Sequence, residues 1–248
     1  MSLLKVSKKK IMKGIGLFIV LIIIVGGILV LSHKSEAPGS TDESSANQMT
    51  QEETAATEQA VTGDTAATLS GSHEIDAAAS SANWTGGKHL IKDYIDRGTI
   101  NIKSGNAVFT DDVLTGGQVV FDMNSIATLE TGRGNDADNT SQQARHMKSP
   151  DFFDAANFPE SKFVITSAEK AGDVTYNLTG DLTIKDKTNS VSFPVEVSNE
   201  SGVITISGSA TLDRTLWDIK YGSSKFFASL GDNVIDDEFT LDFQAVLK

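Results

Sequence analysis

The chain has 248 residues, 39% hydrophobic and 22% charged, with 33 acidic residues against 21 basic ones and no cysteine. A net charge of −12 argues against the positive footprint that nucleic-acid binding requires. The lack of cysteine excludes a disulfide framework, a thiolate zinc site and a lipid-modified cysteine.

Six lysines precede residue 35 and no acid does, so the remainder carries 15 basic and 33 acidic residues. Residues 14–31 form an uncharged run of 18, at the short end of what crosses a ~30 Å hydrocarbon core. Five lysines ahead of it keep the amino terminus in the cytoplasm and place the chain beyond residue 31 outside. Leu29-Val30-Leu31-Ser32 is a poor small-residue cleavage site. An uncleaved transmembrane signal-anchor over residues 1–31 is therefore favoured over a cleaved signal peptide. Residues 32–80 are rich in Ser, Thr, Ala, Glu and Gln, with no aromatic, and read as a disordered tether. The folded domain is then expected over residues 81–248.

From Asn83 onward the pattern has period two. Val174, Tyr176, Leu178, Gly180, Leu182 and Ile184 alternate with Thr175, Asn177, Thr179, Asp181 and Thr183. Val191, Phe193, Val195 and Val197 form a second row, Ile204, Ile206, Gly208, Ala210 and Leu212 a third, and Phe239, Leu241, Phe243, Ala245 and Leu247 a fourth. Weaker rows run through residues 99–103, 119–123 and 163–167. One buried and one wet face mark antiparallel strands. Turns are expected at residues 103–106, 115–117 and 200–202. About eight such strands either stack as two sheets or close into a barrel, and closure removes exposed edges.

Residues 139–148 break the pattern, lacking β-branched residues apart from Thr140. A short helix is expected there, capped by Asn139 or Ser141 and ended by Pro150. Phe152, Phe153, Phe158 and Phe163 come next, in an otherwise polar stretch. Helix and aromatic loop together suggest a lid over a barrel mouth.

Catalytic signatures are missing. His33, His73, His89 and His146 are scattered, and no nucleophile elbow, phosphate loop or dinucleotide fingerprint occurs. Asp111-Asp112 and Asp236-Asp237 are neighbours that would face opposite ways in a strand, and solvated turns explain them better. The chain is expected to be no enzyme and to hold no metal or cofactor.

Four stretches carry a family resemblance: Trp84-Thr85-Gly86-Gly87-Lys88; Arg145-His146-Met147-Lys148-Ser149-Pro150-Asp151-Phe152-Phe153; Gly180-Asp181-Leu182-Thr183-Ile184-Lys185 with Val191-Ser192-Phe193-Pro194; and Asp213-Arg214-Thr215-Leu216-Trp217 running on to Phe226-Phe227. In this order they resemble the YceI family, small bacterial β-barrels that hold isoprenoid lipids. Where the family usually has glycine this chain has Asp186, so that turn is expected to differ locally.

The resemblance implies an all-β, eight-stranded antiparallel, lipocalin-like barrel with an apolar channel for a polyprenyl lipid or isoprenoid quinone. Such a channel makes physical sense: leaving one isoprene unit in water costs roughly 3–4 kcal/mol at ~0.8 kcal/mol per methylene. The implied channel or mouth residues are Trp84, Phe121, Met123, His146, Phe152, Phe153, Phe158, Arg214, Trp217, Tyr221, Phe226 and Phe227. Each aromatic could instead simply fill the core. Counting by twos from Ile204 puts Arg214 on the inward face, where it must pair with a carboxylate or meet a lipid head group; Lys88 raises the same question. The expected function is a membrane-tethered, extracytoplasmic isoprenoid-lipid binder of the bacterial envelope, with a homodimer left open. The alternatives are an envelope stress or interaction module with a filled barrel and, more remotely, an enzyme acting on lipid.

Overall fold

The computed structural model of the protein describes residues 68–248. The expected anchor and residues 32–67 of the expected tether lie outside the described residues. Among the described residues no helix is long and apolar enough to cross a membrane.

Nine strands occur in this order: β1 Gly71–Glu74, β2 Ser81–Gly87, β3 Ile95–Thr110, β4 Val113–Glu130, β5 Glu160–Lys170, β6 Thr175–Ile184, β7 Lys187–Glu200, β8 Val203–Asp213 and β9 Glu238–Val246. The helix α1, Ala137–Lys148, lies between β4 and β5. The sheet order is β1-β3-β2-β9-β8-β7-β6-β5-β4, and β3 pairs with β4 to close it. Both β1 and β2 lie against β3, at Gly71↔Phe109 and Asn83↔Thr99 respectively. They are two pieces of one barrel strand, separated by a tight turn. In that turn Asp76 Oδ1 accepts from the Ala78 and Ala79 N–H groups, and Ser80 Oγ donates to the Asp76 carbonyl. The result is the expected eight-stranded antiparallel barrel.

This corrects the domain boundary. Residues 71–80, assigned to the tether, belong to the barrel wall. The signal was weak because Ile75 is the only large apolar side chain in the segment.

The period-two rows are where expected except at Val174, which is exposed because it lies in the turn before β6 begins. Tyr176, Leu178, Leu182 and Ile184 are buried while Asn177 and Asp181 face solvent. Two expected turns were misplaced. Residues 103–106 lie inside β3, where the register shifts between Ile102 and Ser104, and residues 115–117 lie inside β4. The chain reverses at Asp111 and Asp112, both with positive φ (49° and 64°), a conformation that aspartate tolerates. The turn at residues 201–202 is as expected, with Ser201 and Gly202 both at positive φ. Lys185 and Asp186 also take positive φ, so the β6–β7 turn has this geometry without a glycine.

One end of the barrel is closed and the other open. At the closed end the turns are short, and Phe109, Leu114 and Tyr176 are packed together and almost fully buried. Every long connection, over residues 88–94, 131–159 and 214–237, lies at the opposite end. Inside, glycines lie under aromatic rings. A Cβ on Gly98 would meet the Trp84 ring at 2.5 Å, and one on Gly208 would meet Phe243 at 2.9 Å. Each ring lies directly opposite its glycine on the neighbouring strand, covering backbone that glycine leaves bare.

Candidate functional site: an apolar cavity under a helical lid

The lid is built locally. Asp136 caps α1 by accepting from the Asp138 and Asn139 N–H groups, in place of the expected Asn139 or Ser141. Its carboxylate is three residues further upstream than Asn139, and it satisfies two of the donors that a helix start leaves open. At the other end Ser149 N–H donates to the His146 carbonyl, and Pro150 prevents continuation. The next loop is wound tightly: Phe153 N–H donates to the Met147 carbonyl and Ala155 N–H to the Lys148 carbonyl. This winding turns Phe152 and Phe153 inward, where both are buried.

Beneath the lid lies a cavity of about 250 Å³. Trp84, Phe121, Met123, His146, Phe152, Phe153, Arg214 and Tyr221 all line it. A second cavity of about 90 Å³ lies deeper, lined almost entirely by carbon. The two share Phe121, Leu182, Leu212 and Leu241 in their linings and so adjoin. Partial exposure marks this space. Phe193, Phe239, Leu241 and Phe243 occupy inward rows yet keep accessible surface, because they line the cavities, even though Phe193 and Phe243 also meet edge-on at 5.8 Å.

The remaining expected site residues are elsewhere. Trp217 is fully buried in the wall, its Nε1–H donating to the Leu182 carbonyl at 2.9 Å. Phe158 lies outside the cavity, on the loop beyond the lid. Phe226 and Phe227 are about half exposed on the outer surface. Sequence spacing could not separate these, since all lie in irregular segments without a strand phase. Conversely, Met147, Tyr94, Leu212 and Phe239 line the cavity and were missed. Phe239 and Leu212 could have been found from their inward rows; Tyr94 sits in a loop and gave no signal.

Polar groups gather at the mouth and are already engaged. Asp96 is buried, accepting from Gly132 N–H and from Gln143 Nε2. Arg133 donates to Tyr94 Oη and to the side-chain oxygens of Gln142 and Gln143. Lys88 Nζ donates to the Asp232 carbonyl and lies over the Tyr94 ring, which settles its inward role as a tie between loops. His146 stacks edge-on against Phe152 and Tyr221, with Nε2 3.6 Å from Asp151.

Arg214 is buried, as its phase required. Its Nε, Nη1 and Nη2 donate to the Asp236, Ile219 and Ile235 carbonyls at 2.9, 2.7 and 3.1 Å, with Asp237 at 3.5 Å. Its guanidinium also lies 5.7 Å from the Phe152 ring centroid. Three backbone carbonyls satisfy it together with the expected carboxylate partner, Asp237. Burial draws its pKa below the ordinary arginine value, and Asp237, Asp213 and Asp236 offset only part of that shift. Among the described residues no three His, Cys, Asp or Glu side chains come together as a metal site.

A second clamp holds the crossover over residues 214–237, which joins β8 to β9. Lys225 Nζ bridges Asp213 at 2.7 Å and Asp237 at 3.3 Å. Burial alone would raise the Asp213 carboxyl, but Lys225 and Thr215 outweigh it and hold it below the ordinary carboxylate value. The hydrogen bond from Lys225 to Asp213 raises the lysine above its own ordinary value. A depressed acid contributes stability that is lost as pH falls through its folded pKa. A raised lysine contributes stability that is lost as pH rises through its own. The crossover is therefore expected to stay ordered between about pH 4 and about pH 10 and to loosen outside that window. Near-UV circular dichroism against pH checks this, and Lys225→Met should blunt both transitions; identical curves for the variant and the parent would contradict the clamp.

The comparisons agree with this architecture. A crystal structure of BcnA from Burkholderia cenocepacia aligns with a TM-score of 0.55 at 22% identity, covering 70% of this chain and 99% of that one. A polyisoprenoid binding domain from Saccharophagus degradans aligns with a TM-score of 0.53 at 15% identity, covering 73% and 99%. At these identities the likeness is one of fold. A UPF0312 protein of Pseudomonas putida is 39% identical over 62 residues, which is 25% of this chain and 32% of the relative. One from Pseudomonas savastanoi is 40% identical over 53 residues, or 21% and 28%. The matched segments thus span only about a third of these relatives. The family model of the YceI-like domain, by contrast, matches residues 73–247, from β1 to the end of β9. With the barrel closed, its lid in place and its whole length matched, the chain belongs to the YceI-like domain family.

Proposed function

We propose that the barrel binds an isoprenoid lipid, of the quinone or polyprenyl type, without catalysing a reaction on it. The observation that carries this reading is the pair of adjoining apolar cavities along the barrel axis, capped by α1 and Phe152-Phe153. Together they reach the lower end of the roughly 300–1,000 Å³ usual for small-molecule sites. The inward side chains that remain partly accessible provide room to widen. A tail in the inner cavity and a polar head among Asp96, Gln143 and His146 fit the division of the lining into apolar and polar parts. The solved neighbour from Saccharophagus degradans, described as polyisoprenoid binding, favours the same ligand class. With the basic, apolar start of the sequence, this reading places the barrel outside the cytoplasm, tethered to the membrane by residues 14–31.

Native mass spectrometry with lipid extraction of the full chain tests the proposal. Leu241→Trp fills the junction between the two cavities. Losing burial of about two methylenes at ~0.8 kcal/mol each lowers retained isoprenoid roughly tenfold. Phe152→Asp with Phe153→Asp, in the lid, should abolish it while the far-UV strand signal persists. A wild-type chain that emerges free of lipid and takes up no isoprenoid on titration would sink the reading and favour the interaction module.

A further inference from the structure

Among the described residues nine large hydrophobic side chains are exposed. Val174 and Val203 lie beside closed-end turns, and the other seven lie at the open end. Four of these come from the single crossover over residues 214–237: Leu216, Tyr221, Phe226 and Phe227, each between 44% and 52% exposed. Soluble surfaces tolerate scattered apolar residues, but a cluster on one segment marks an interaction site.

Lysines are interleaved with this cluster. Lys220 Nζ lies 5.0 Å from the Phe226 ring centroid, and Lys187 and Lys220 both reach Asp218. Lys225 holds Asp213 and Asp237. Each of these carboxylates is thus matched by an ammonium, whereas the chain as a whole carries −12. The same crossover also carries Asp232 and Asp236, so its three cations nearly balance its four aspartates, and the face suits zwitterionic head groups. Aromatic rings beside lysines, whose stems lie along apolar surface while their charges stay wet, suit a bilayer interface. The cluster is also continuous with the cavity, because Tyr221 both lines it and reaches solvent.

We propose that this aromatic–lysine surface, formed by Leu216, Tyr221, Phe226 and Phe227 with Lys187 and Lys220, docks on the head-group layer of a lipid bilayer and holds the cavity mouth against it. The purpose of the docking rests on the lipid-binding reading; the docking itself rests on the surface. Hydrophobic contact dominates, since the lysines are already matched, so the docking works on zwitterionic lipid and depends little on salt.

The absence of cysteine makes the test clean. The full chain carrying Phe227→Cys or, at the closed end, Val203→Cys is labelled with a fluorophore and mixed with phosphatidylcholine vesicles bearing brominated acyl chains. Quenching several-fold stronger at position 227 than at 203 is expected, with or without added phosphatidylglycerol. Equal quenching at the two positions overturns the proposal. Cross-linking of two copies through Phe227→Cys without quenching also overturns it and assigns the surface to a second copy of the chain. Phe226→Glu with Phe227→Glu should slow isoprenoid transfer from vesicles several-fold while leaving uptake from detergent unchanged; an unchanged transfer rate overturns the loading role. A wild-type chain that takes up no isoprenoid from detergent refutes the lipid reading alone, since quenching still judges the docking.

Discussion

Trp217→Ala is expected to destabilise the barrel by about 3–5 kcal/mol, the range for losing a buried indole from a core that collapses incompletely. Trp217 is fully buried and closes a defect in the wall. The β7–β8 ladder ends at Val195↔Gly208, and towards the mouth the two strands part. Pro194, which has no N–H to donate, sits where that ladder stops. The short 3₁₀ turn at Arg214–Trp217 covers the gap, joined to β7 by Asn189 Nδ2 donating to the Leu216 carbonyl. Trp217→Phe keeps most of the apolar area but removes the indole donor to the Leu182 carbonyl, at about 0.5–1.5 kcal/mol. Urea unfolding followed by the fluorescence of the remaining Trp84 measures both. If Trp217→Ala left the midpoint unchanged and removed bound lipid, Trp217 would be a ligand residue and the structural assignment would fail.

Arg214→Met should cost a similar amount, about 3–5 kcal/mol, as expected for breaking a buried charged network by removing one partner. Three backbone carbonyls, on Ile219, Ile235 and Asp236, lose their donors together, and Asp237 loses a cation. Those carbonyls belong to the 214–237 crossover, so the crossover should loosen before the barrel unfolds. Faster amide exchange there than in β6 would show it. Arg214→Lys should not rescue the loss, because a single ammonium cannot reproduce the fork that reaches three carbonyls at fixed angles. Phe152, which Arg214 supports from beside its ring, should become more mobile in both variants. Normal stability and exchange in Arg214→Met, with lipid lost, would instead make Arg214 a head-group contact.

Both residues were singled out in the sequence as candidate ligand contacts, and both hold the wall and mouth in shape. What the sequence determined by itself is the strand inventory and its faces. Alternation along residues 176–184, 204–212 and 239–247 is local, and because side chains alternate with period two it specifies the buried face whatever the partners are. The same rule placed Arg214 inside, and the Phe152-Phe153 block inside the cavity came from its family resemblance. Local chemistry also marked the helix before Pro150, although Asp136 provides its cap.

Tertiary structure decided everything that depends on distance across the barrel. Whether an inward aromatic fills space or faces a void is set by what stands opposite it: Trp84 lies over Gly98 and Phe243 over Gly208, and neither pairing is visible before the register is known. Residues 71–80 became part of the wall only because β3 and β9 offer them unpaired backbone, a long-range gain that four strand residues and one isoleucine do not announce. The crossover over residues 214–237 has no period, so its division into buried Trp217, cavity-facing Tyr221 and outward Phe226 and Phe227 is set by hydrogen bonds to distant carbonyls. Burial in a barrel is a property of pairs of strands, and a single chain read in order specifies only one member of each pair.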